Sequence, residues 1–396
     1  MTVLCLTSYF KGEAFIRGCK ERGATVVLIT SQSLKDYPWP HDSLDAIYFM
    51  PVAEGHWVVG DLLKAVSHLA QTREFDRIVA LDDLDLEKAA MLREHLRVPG
   101  MGDTRTRFFR DKLVMRMRAR EVGLPVPAFV HVLNDRRLKE FFDTVPAPWI
   151  IKPRSAAGSI GVKKLANEPE AWGVIHSLGD ERSHHLIEAF LPGRVYHVDT
   201  IIFDGEIVFA RAHGYMDPPM AVAHEGGIFR SHTLRPEDPD REKLLDLNAR
   251  VISGMGLTRG VSHTEFIRHE GAFYFLETSA RVGGAHLAEM IEASSGLNLW
   301  REWARIETLA EDERYELPAV RSDHAGIINS LARQEHPDTS AYNYPEIVWR
   351  LDKKYHVGMV VKHAEYDRVV DILEELAGRF RVDFHAWAPM GDIPPP

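Results

Sequence analysis

Residues 260–284 read GVSHTEFIRHEGAFYFLETSARVGG, and this stretch is the most informative about the fold. Two segments rich in Phe, Ile, Thr, Val and Tyr flank the turn HEG, which predicts a β-hairpin. A three-residue loop His269–Gly271, whose last residue is left-handed, places Glu265 opposite Phe275. Glu277 is then the diagonal neighbour of Glu265 on the same face, roughly 7–8 Å away.

Two carboxylates that converge on one face repel each other, so a cation is expected between them. Hard oxygen ligands favour Mg²⁺. Arg281 follows four residues after Glu277 and supplies a fixed charge for an anion beside that metal. Metal, arginine and phosphate together are what phosphoryl transfer requires. The alternative is a solvated hairpin face, the usual place for glutamates. Alternation of Ile267, Phe273 and Phe275 onto the glutamate face argues against it.

Composition places the chain among soluble globular proteins. It has 396 residues, 45% hydrophobic and 27% charged, which favours two or three domains. The net charge of −10 argues against non-specific nucleic-acid binding. No stretch approaches about 18 apolar residues, so we expect no membrane span. With only Cys5 and Cys19 and no signal-like N-terminus, a cytoplasmic location is expected. The C-terminal segment GDIPPP (391–396) is expected to be disordered.

Strands and helices alternate over the first hundred residues, which predicts a parallel sheet with helices on its faces. The sequence TSYFKGEAF after the first strand lacks the GxGxxG fingerprint, so dinucleotide binding is disfavoured. A helix capped by Asp103 is predicted over 105–121, followed by the Pro-stiffened linker LPVPAF over 124–129. Long helices are predicted over 237–255 and 284–308.

These patterns predict an α/β fold that is α+β in part, with three regions. Residues 1–123 form an N-terminal α/β domain, 124–191 a small central module, and 192–396 a C-terminal region of strands and long helices.

A candidate phosphate site follows the apolar strand PWIIKP. Lys152 ends this strand, and the loop RSAAGSIGVKK comes next. Backbone N–H groups near Gly158, Ser159 and Gly161 can approach phosphate oxygens closely, while Lys152 supplies a point charge. No GxxxxGK[ST] sequence is present, so this is not a Walker A loop. The alternative is a Gly/Ser turn beside a surface lysine.

The segment LIEAFLPGRVYHVDT (186–200) is a candidate purine site. Glu188 can accept a hydrogen bond from an adenine amino group, and a backbone N–H at Phe190 or Leu191 can donate one to a ring nitrogen. The alternative is an edge strand entering a Pro-Gly turn. Lys112, in FFRDKLVMR, is a second candidate phosphate ligand; the alternative there is a solvated lysine.

The chain resembles the ATP-grasp fold over roughly residues 1–310. The resemblance rests on five motifs that occur in the order typical of that fold: Lys112, KPRSAAGSIGV, EAFLPG, TEF and ETSARVGG. Within this fold, the chain most closely resembles the carboxylate–amine ligases of the bacterial L-amino acid ligase type, on the basis of the segments SARVGGAH and GMGDTRTRFFRDK. The resemblance implies an N-terminal parallel-sheet (preATP-grasp) domain, a small lid-like central domain and a mixed C-terminal domain. It also implies ATP and Mg²⁺, with Mn²⁺ as a substitute, and amide or peptide bond formation through an acylphosphate with release of ADP.

The resemblance assigns roles to residues of this chain. ATP would be held by Lys112, Lys152, the loop with Ser155, Gly158, Ser159 and Gly161, and the adenine contacts Glu188, Phe190 and Leu191. The metal ligands would be Glu265, Glu277 and Ser279. Arg281 and Lys152 would be catalytic, and substrate would meet His224, Glu225, Arg281, Gly283 and Gly284.

The chain departs from the family pattern at two places. Ser279 replaces the usual Asn two residues after the second metal glutamate, which puts a second metal in doubt. Val195 replaces the usual acid for the ribose hydroxyls, and His197 or Asp199 could substitute for it. His224 and Glu225 lie in AVAHEGGIF, expected as a loop between strands, for which a flexible glycine turn is the alternative.

We expect small carboxylate and amine substrates, no nucleic-acid or membrane partner, and a homodimer. No HExxH or Cys/His spacing indicates zinc. Two rival functions stay open: a biotin-carboxylase-like enzyme that activates bicarbonate, and a nucleotide-binding protein of this fold without catalysis.

Overall fold

The computed structural model describes residues 1–53, 55–310 and 312–387, so the tail expected to be disordered lies outside them. The N-terminal sheet is parallel, in the order β3-β2-β1-β4, as the alternating pattern predicts. Both faces are covered, and β1 is buried along almost its whole length. The elements are β1 (Thr2–Thr7), α1 (Glu13–Glu21), β2 (Thr25–Ser31), β3 (Ala46–Met50), α2 (Val59–Ala70), β4 (Arg77–Ala80) and α3 (Leu86–Leu96).

The prediction of a single helix over 105–121 is wrong. Two helices occur instead, α4 (Asp103–Thr106) and α5 (Lys112–Glu121). Asp111 interrupts the run because its carboxylate accepts from the N–H groups of Leu113 and Val114, at 3.0 and 3.3 Å, and so caps a new helix. This cap places Lys112 at the first position of α5.

A small antiparallel sheet follows, in the order β5-β8-β6-β7. Its own apolar core includes Phe142, Trp149, Ile151 and Ile187. The domain boundaries at 123/124 and 191/192 stay predictions. The elements are β5 (Phe129–His131), α6 (Asp135–Thr144), β6 (Trp149–Pro153), β7 (Lys163–Leu165), α7 (Glu168–Ser177) and β8 (His185–Ala189).

The remaining described residues build a large antiparallel sheet, in the order β13-β12-β9-β10-β11-β14-β16-β15, with β17 beside β14. Its strands are β9 (Arg194–Phe203), β10 (Glu206–Tyr215), β11 (Phe229–Thr233), β12 (Gly260–His269), β13 (Ala272–Ser279), β14 (His324–Ala332), β15 (Ile347–Arg350), β16 (His356–His363) and β17 (His385–Ala386). Its helices are α8 (Pro219–Glu225), α9 (Pro239–Met255), α10 (Leu287–Ser295), α11 (Leu299–Glu307) and α12 (Tyr366–Asp383). The predicted α/β class with α+β parts is confirmed.

Two expectations in this region are wrong. The helix predicted over 284–308 is split into α10 and α11, because Gly296 ends α10 in a left-handed conformation (φ 82°) and Asn298 caps α11. The segment around His224 is not a loop between strands but the helix α8, which begins with Pro219 at its first position. No helix among the described residues is long and apolar enough to cross a membrane.

The register of the β12–β13 hairpin differs from the prediction. His269 pairs with Ala272, so the loop has two residues, Glu270 and Gly271, with φ 48° and 84°. These positive values suit the tight turns that match the twist of a hairpin. The left-handed conformation of Gly271 is confirmed, but the three-residue loop is not.

A β-bulge changes the pairing further along the hairpin. Phe266 opposes Phe275. The next residue of β12, Glu265, opposes Glu277, so Leu276 is the extra residue of β13. The two glutamates are therefore directly opposite, not diagonal as predicted.

The bulge also decides which face each side chain occupies. Ile267 shares the glutamate face, whereas Phe273 and Phe275 lie with Phe266 in the core on the other side. Their predicted place on the glutamate face is wrong, because the alternation of side chains restarts after the extra residue.

Candidate functional site

A cavity of about 400 Å³ lies between the small central sheet and the glutamate face of the large sheet. Charged side chains from five elements are among its lining residues: Lys112, Lys152, Glu188, Glu265 and Glu277. They come from α5, β6, β8, β12 and β13, segments far apart in sequence. The fold therefore brings together the five residues on which the sequence resemblance depends.

Glu265 and Glu277 face each other across neighbouring strands. The Tyr215 hydroxyl donates to Glu265 Oε1 at 2.8 Å, and His263 Nε2 lies 3.5 Å from the same oxygen. Lys112 Nζ lies 3.0 Å from Glu277 Oε2. Each carboxylate is thus oriented by protein groups that contact one of its two oxygens.

Glu277 is ionised at neutral pH. Withdrawal from water would raise the pKa of this carboxyl, but Lys112 and then Lys152 outweigh that effect and lower the pKa to about 2. Its side chain keeps 37% of its surface accessible. Directly opposed carboxylates that line one cavity are a donor set suited to Mg²⁺ or Mn²⁺. The residues present therefore fit the implied metal.

Lys152 is held by a buried ion-pair network. Its Nζ donates to Glu188 Oε1, and Arg116 Nε donates to Glu188 Oε2 at 3.1 Å. Burial lowers the pKa of Lys152 to about 8, an effect that Glu188 opposes. Burial would raise the pKa of Glu188, but Arg116 and Lys152 hold it below its usual range. Glu188 is therefore occupied with positioning Lys152, and an adenine contact would have to share its oxygens.

Arg116 is a site residue that the sequence reasoning missed. It is fully buried, donates to Leu276 O as well as to Glu188, and its guanidinium lies 5.7 Å from the centre of the Phe275 ring. The available signal was its spacing from Lys112, because residues four apart share one face of a helix.

The glycine-containing loop bends over the cavity. Gly158 and Ser159 line it, and both are left-handed, with φ 65° and 63°. Ser155 and Gly161 are not in the lining: Ser155 O accepts from Arg110, and Gly161 packs against Pro153. A side chain at Gly158 would meet open space, so its left-handed backbone is what favours glycine there.

The same loop is tied to the elements around it. Lys112 Nζ donates to Ala156 O at 2.6 Å, and His224 Nε2 lies 3.2 Å from Ser159 O. His224 thus contacts the loop, whereas Glu225, the last residue of α8, lines the cavity.

The candidate adenine end consists of Phe190 and Leu191 beside apolar walls from Ile150 and Leu276. The Phe190 N–H donates to Pro148 O at 3.1 Å, which leaves the Leu191 N–H as the candidate for a ring nitrogen. Lys164 Nζ lies 4.0 Å from the centre of the Phe190 ring and covers it on one side.

Asp199 does not line the 400 Å³ cavity, contrary to its predicted role beside the ribose. It is fully buried on the glutamate face of β9, where His263 Nδ1 lies 2.9 Å from Oδ1 and His197 Nδ1 lies 2.7 Å from Oδ2. The physical reason is strand geometry: Asp199 is four residues along β9 from Val195, which does line the cavity, and so lies about 13 Å further on.

The histidines around Asp199 form a network beneath the glutamate pair. Burial would lower the pKa of His263, but Asp199 and Glu265 raise it to about 9. Burial lowers the pKa of His197, and lowers that of His213 to about 3. His263 is therefore a cation between two carboxylates at neutral pH, which fixes Glu265.

The same network contains a set of groups that could hold a metal ion. Nitrogen and oxygen atoms of His197, Asp199 and His213 lie within 4.8 Å of one another. His197 Nε2 also contacts Ser231 Oγ at 2.7 Å, so hydrogen bonds already account for much of the cluster.

Ser279 and Arg281 lie toward the N-terminal sheet. The Ser279 hydroxyl donates to Asp83 Oδ1, whose other oxygen accepts from Arg110 at 3.0 Å. A metal at Ser279 would therefore compete with Asp83. Arg281 Nη1 donates to Val282 O at 2.8 Å, and its Nε is buried with no partner among the described residues. Neither residue is in the lining of the 400 Å³ cavity.

The two glycines after Arg281 differ in their surroundings. A Cβ at Gly283 would lie 3.0 Å from both Asp199 Oδ1 and His263 Nδ1, so this glycine allows close packing over the buried network. A Cβ at Gly284 would meet nothing within 4 Å. Gly284 is therefore the one of the pair with room beside it for a substrate.

Comparison with known proteins agrees with this geometry. Residues 109–285 match the ATP-grasp domain family. The chain is 26% identical over 240 residues to the L-arginine-specific L-amino acid ligase of Bacillus subtilis, covering 59% of this chain and 57% of that protein, less than two thirds of its length.

Two solved structures share the fold. The L-amino acid ligase of Bacillus licheniformis superposes with a TM-score of 0.76 at 18% identity, covering 97% of this chain and 98% of that one. A biotin carboxylase of Campylobacter jejuni superposes with a TM-score of 0.71 at 16% identity, covering 97% and 91%. At these identities the likeness shows the fold alone. Residues 109–285 are therefore similar to the ATP-grasp domain family, and the chain is similar in fold to an L-amino acid ligase along 97% of its length.

Proposed function

We propose that this protein is an ATP-dependent ligase that joins a small carboxylate, an amino acid or a similar acid, to an amine. The observation that carries the proposal is the opposed pair Glu265–Glu277, with Lys112 at 3.0 Å from Glu277 and Lys152 lining the same cavity. Two anions and two cations around one cavity suit a metal-bound polyphosphate.

The reaction would proceed through an acylphosphate. A carboxylate oxygen of the acid attacks the terminal phosphorus of ATP, the bond to ADP breaks, and the amine nitrogen then displaces phosphate. A bound Mg²⁺ would supply positive charge beside the phosphoryl oxygens, held by Glu265 and Glu277. Lys112 and Lys152 would hold phosphate oxygens, and backbone N–H groups at Gly158 and Ser159 would close over them.

The substrate end is proposed to lie beyond the glutamate pair, toward Arg281 and Gly284. Arg281 carries a buried Nε without a partner among the described residues, which suits a carboxylate or phosphoryl group. Glu225 lines the cavity and could meet a cationic amine. The similarity to the L-arginine-specific L-amino acid ligase supports amino acid substrates for this chain.

The roles of the other predicted residues are also proposals. Leu191 would read the adenine ring, and Glu188 would act through Lys152. With Ser279 bound to Asp83, we propose a site that does not depend on Ser279 as a ligand. A homodimer remains a prediction.

One rival is activation of bicarbonate, because biotin carboxylases share the fold. A non-catalytic nucleotide-binding protein is disfavoured because the charged residues around the cavity are all present and mutually oriented.

The test is phosphate release from ATP with purified protein and Mg²⁺, screened over amino acid pairs, with bicarbonate alone as a separate arm. We expect release only when an acid and an amine are both present. Release with bicarbonate alone would favour the rival. Tight ATP binding without release for any pair, and without hydroxamate from any acid and hydroxylamine, would favour the non-catalytic alternative.

A further inference from the structure

A second cavity, of about 300 Å³, lies where the N-terminal sheet meets the beginning of β12 and helix α11. It shares no lining residue with the nucleotide cavity. The charged residues that line it are four arginines and one glutamate: Arg77, Arg93, Arg105, Arg259 and Glu307. The cavity therefore carries an excess of positive charge.

That charge is only partly neutralised by the protein. Arg93 donates to two backbone carbonyls, Met101 O at 3.0 Å and Ile78 O at 2.8 Å, which fix its guanidinium without cancelling its charge. Arg77 Nε lies 3.7 Å from Glu307 Oε2. Glu307 is the one acid in the lining and also accepts from the Trp303 indole at 3.0 Å.

The other two arginines have capacity for a ligand. Arg259 donates to Ile306 O, but its Nε is buried with no partner among the described residues. Arg105 makes no ion pair within the described part of the chain, and it is an exposed residue of the cavity lining. A buried donor without a partner costs free energy, and a bound anion would remove that cost.

Burial does not discharge these groups. It lowers the pKa of Arg93 only to about 10, with Glu307 opposing the shift, and lowers that of Arg259 below its usual value. Arg93 stays cationic at neutral pH, and an arginine is expected to be charged throughout the working range. Guanidinium groups bind carboxylate and phosphate in a two-pronged geometry.

Part of the remaining wall is apolar. Leu86, Leu257, Val261 and the Trp303 ring line the cavity beside the arginines. A free inorganic ion would leave this surface without contact, whereas a compact hydrophobic body would cover it.

We propose that this cavity is a second ligand site, which binds a small organic anion with a phosphate or carboxylate group and a compact apolar body. The anionic group would lie between Arg105 and Arg259, and the apolar body against Trp303. The site is separate from the reaction centre and does not depend on the proposed ligase activity.

The experiment uses phenyl phosphate and phenylacetate as probes, with the full chain saturated by Mg²⁺ and a non-hydrolysable ATP analogue. Isothermal titration and tryptophan fluorescence report binding. We expect one-to-one binding of at least one probe, and which one binds fixes the anionic group. The fluorescence change should be lost in Trp303→Phe.

The double variant Arg105→Gln/Arg259→Gln should bind at least roughly tenfold more weakly, because both arginines would lose their charge-assisted hydrogen bonds to the anion. Arg381→Gln removes one exposed arginine on α12 and is the matched control, with unchanged binding. If the double variant does not fold, Arg105→Gln alone is tested, since this side chain is exposed. Binding of neither probe, competition with the ATP analogue, or equal affinity in wild type and arginine variants would overturn the proposal.

Discussion

Glu188→Gln should both destabilise the protein and weaken ATP binding. Glu188 is 5% exposed and lies between Lys152, 8% exposed, and Arg116, which is fully buried. The glutamine has nearly the same shape and can accept a hydrogen bond from one cation, but it removes the negative charge that lies between these two buried cationic side chains.

The size of the effect follows from that burial. Removing one partner of a buried ion pair costs about 3–5 kcal/mol, and we expect a loss in this range in the free energy of unfolding at pH 7.5. Glu188 also opposes the lowering of the pKa of Lys152, which is about 8 in the native protein, so without Glu188 this pKa falls further and a smaller fraction of Lys152 is charged at pH 7.5. A lost charge-assisted hydrogen bond to phosphate then weakens ATP binding about ten- to hundredfold.

The assay is urea unfolding together with the Kd of a Mg²⁺–ATP analogue. Glu140→Gln is the matched control, because Glu140 lies on α6 of the same region with its side chain 63% exposed, and its change should stay within about 0.5 kcal/mol. Glu188→Asp keeps the charge and should recover part of both losses. A loss below about 1 kcal/mol with unchanged affinity would refute the assigned role of the network.

Three further predictions concern the same cavity. Glu277→Gln should lower Mg²⁺-dependent ATP turnover about a hundredfold or more while the melting temperature changes little, because it removes a metal ligand on an accessible side chain; wild-type turnover in phosphate-release assays would contradict the metal assignment. ATP-analogue binding should weaken as the pH rises from 7 through 9, because Lys152 loses its proton above a pKa of about 8, and titration should show no such dependence in Lys152→Met. Amide hydrogen exchange over 155–161 should slow on addition of Mg²⁺ and the analogue; identical exchange with and without nucleotide would exclude a phosphate lid.

Local signals in the sequence were sufficient for the parallel N-terminal sheet and for the lysines and glutamates of the cavity. Lys152 follows an apolar strand and precedes a small-residue loop, and this local pattern is realised. Glu265 and Glu277 share a face as predicted, but only because the extra residue at Leu276 offsets the turn, which is one residue shorter than predicted.

The direct opposition of those glutamates was not predictable from alternation. One extra residue at Leu276 shifts every later side chain of β13 to the other face, and nothing in FLET distinguishes a bulged strand from a regular one. Asp111 was missed as a helix cap because it lies inside an otherwise helical run.

The buried network under the site depends on pairing between distant strands. His197, Asp199 and His263 converge only because β9 pairs with β12 in a register that brings Asp199 opposite His263. Each residue alone looks like an ordinary polar side chain on a strand. The tertiary pairing that sets the register is not contained in any local pattern.

The central claim is that ATP activates a carboxylate as an acylphosphate in the cavity of Glu265 and Glu277. The most direct test incubates the protein with ATP, Mg²⁺, an acid substrate and hydroxylamine, and measures hydroxamate together with the nucleotide products. The account predicts hydroxamate and ADP in equal amounts, both lost in Glu277→Gln. AMP and pyrophosphate in place of ADP and phosphate would contradict it.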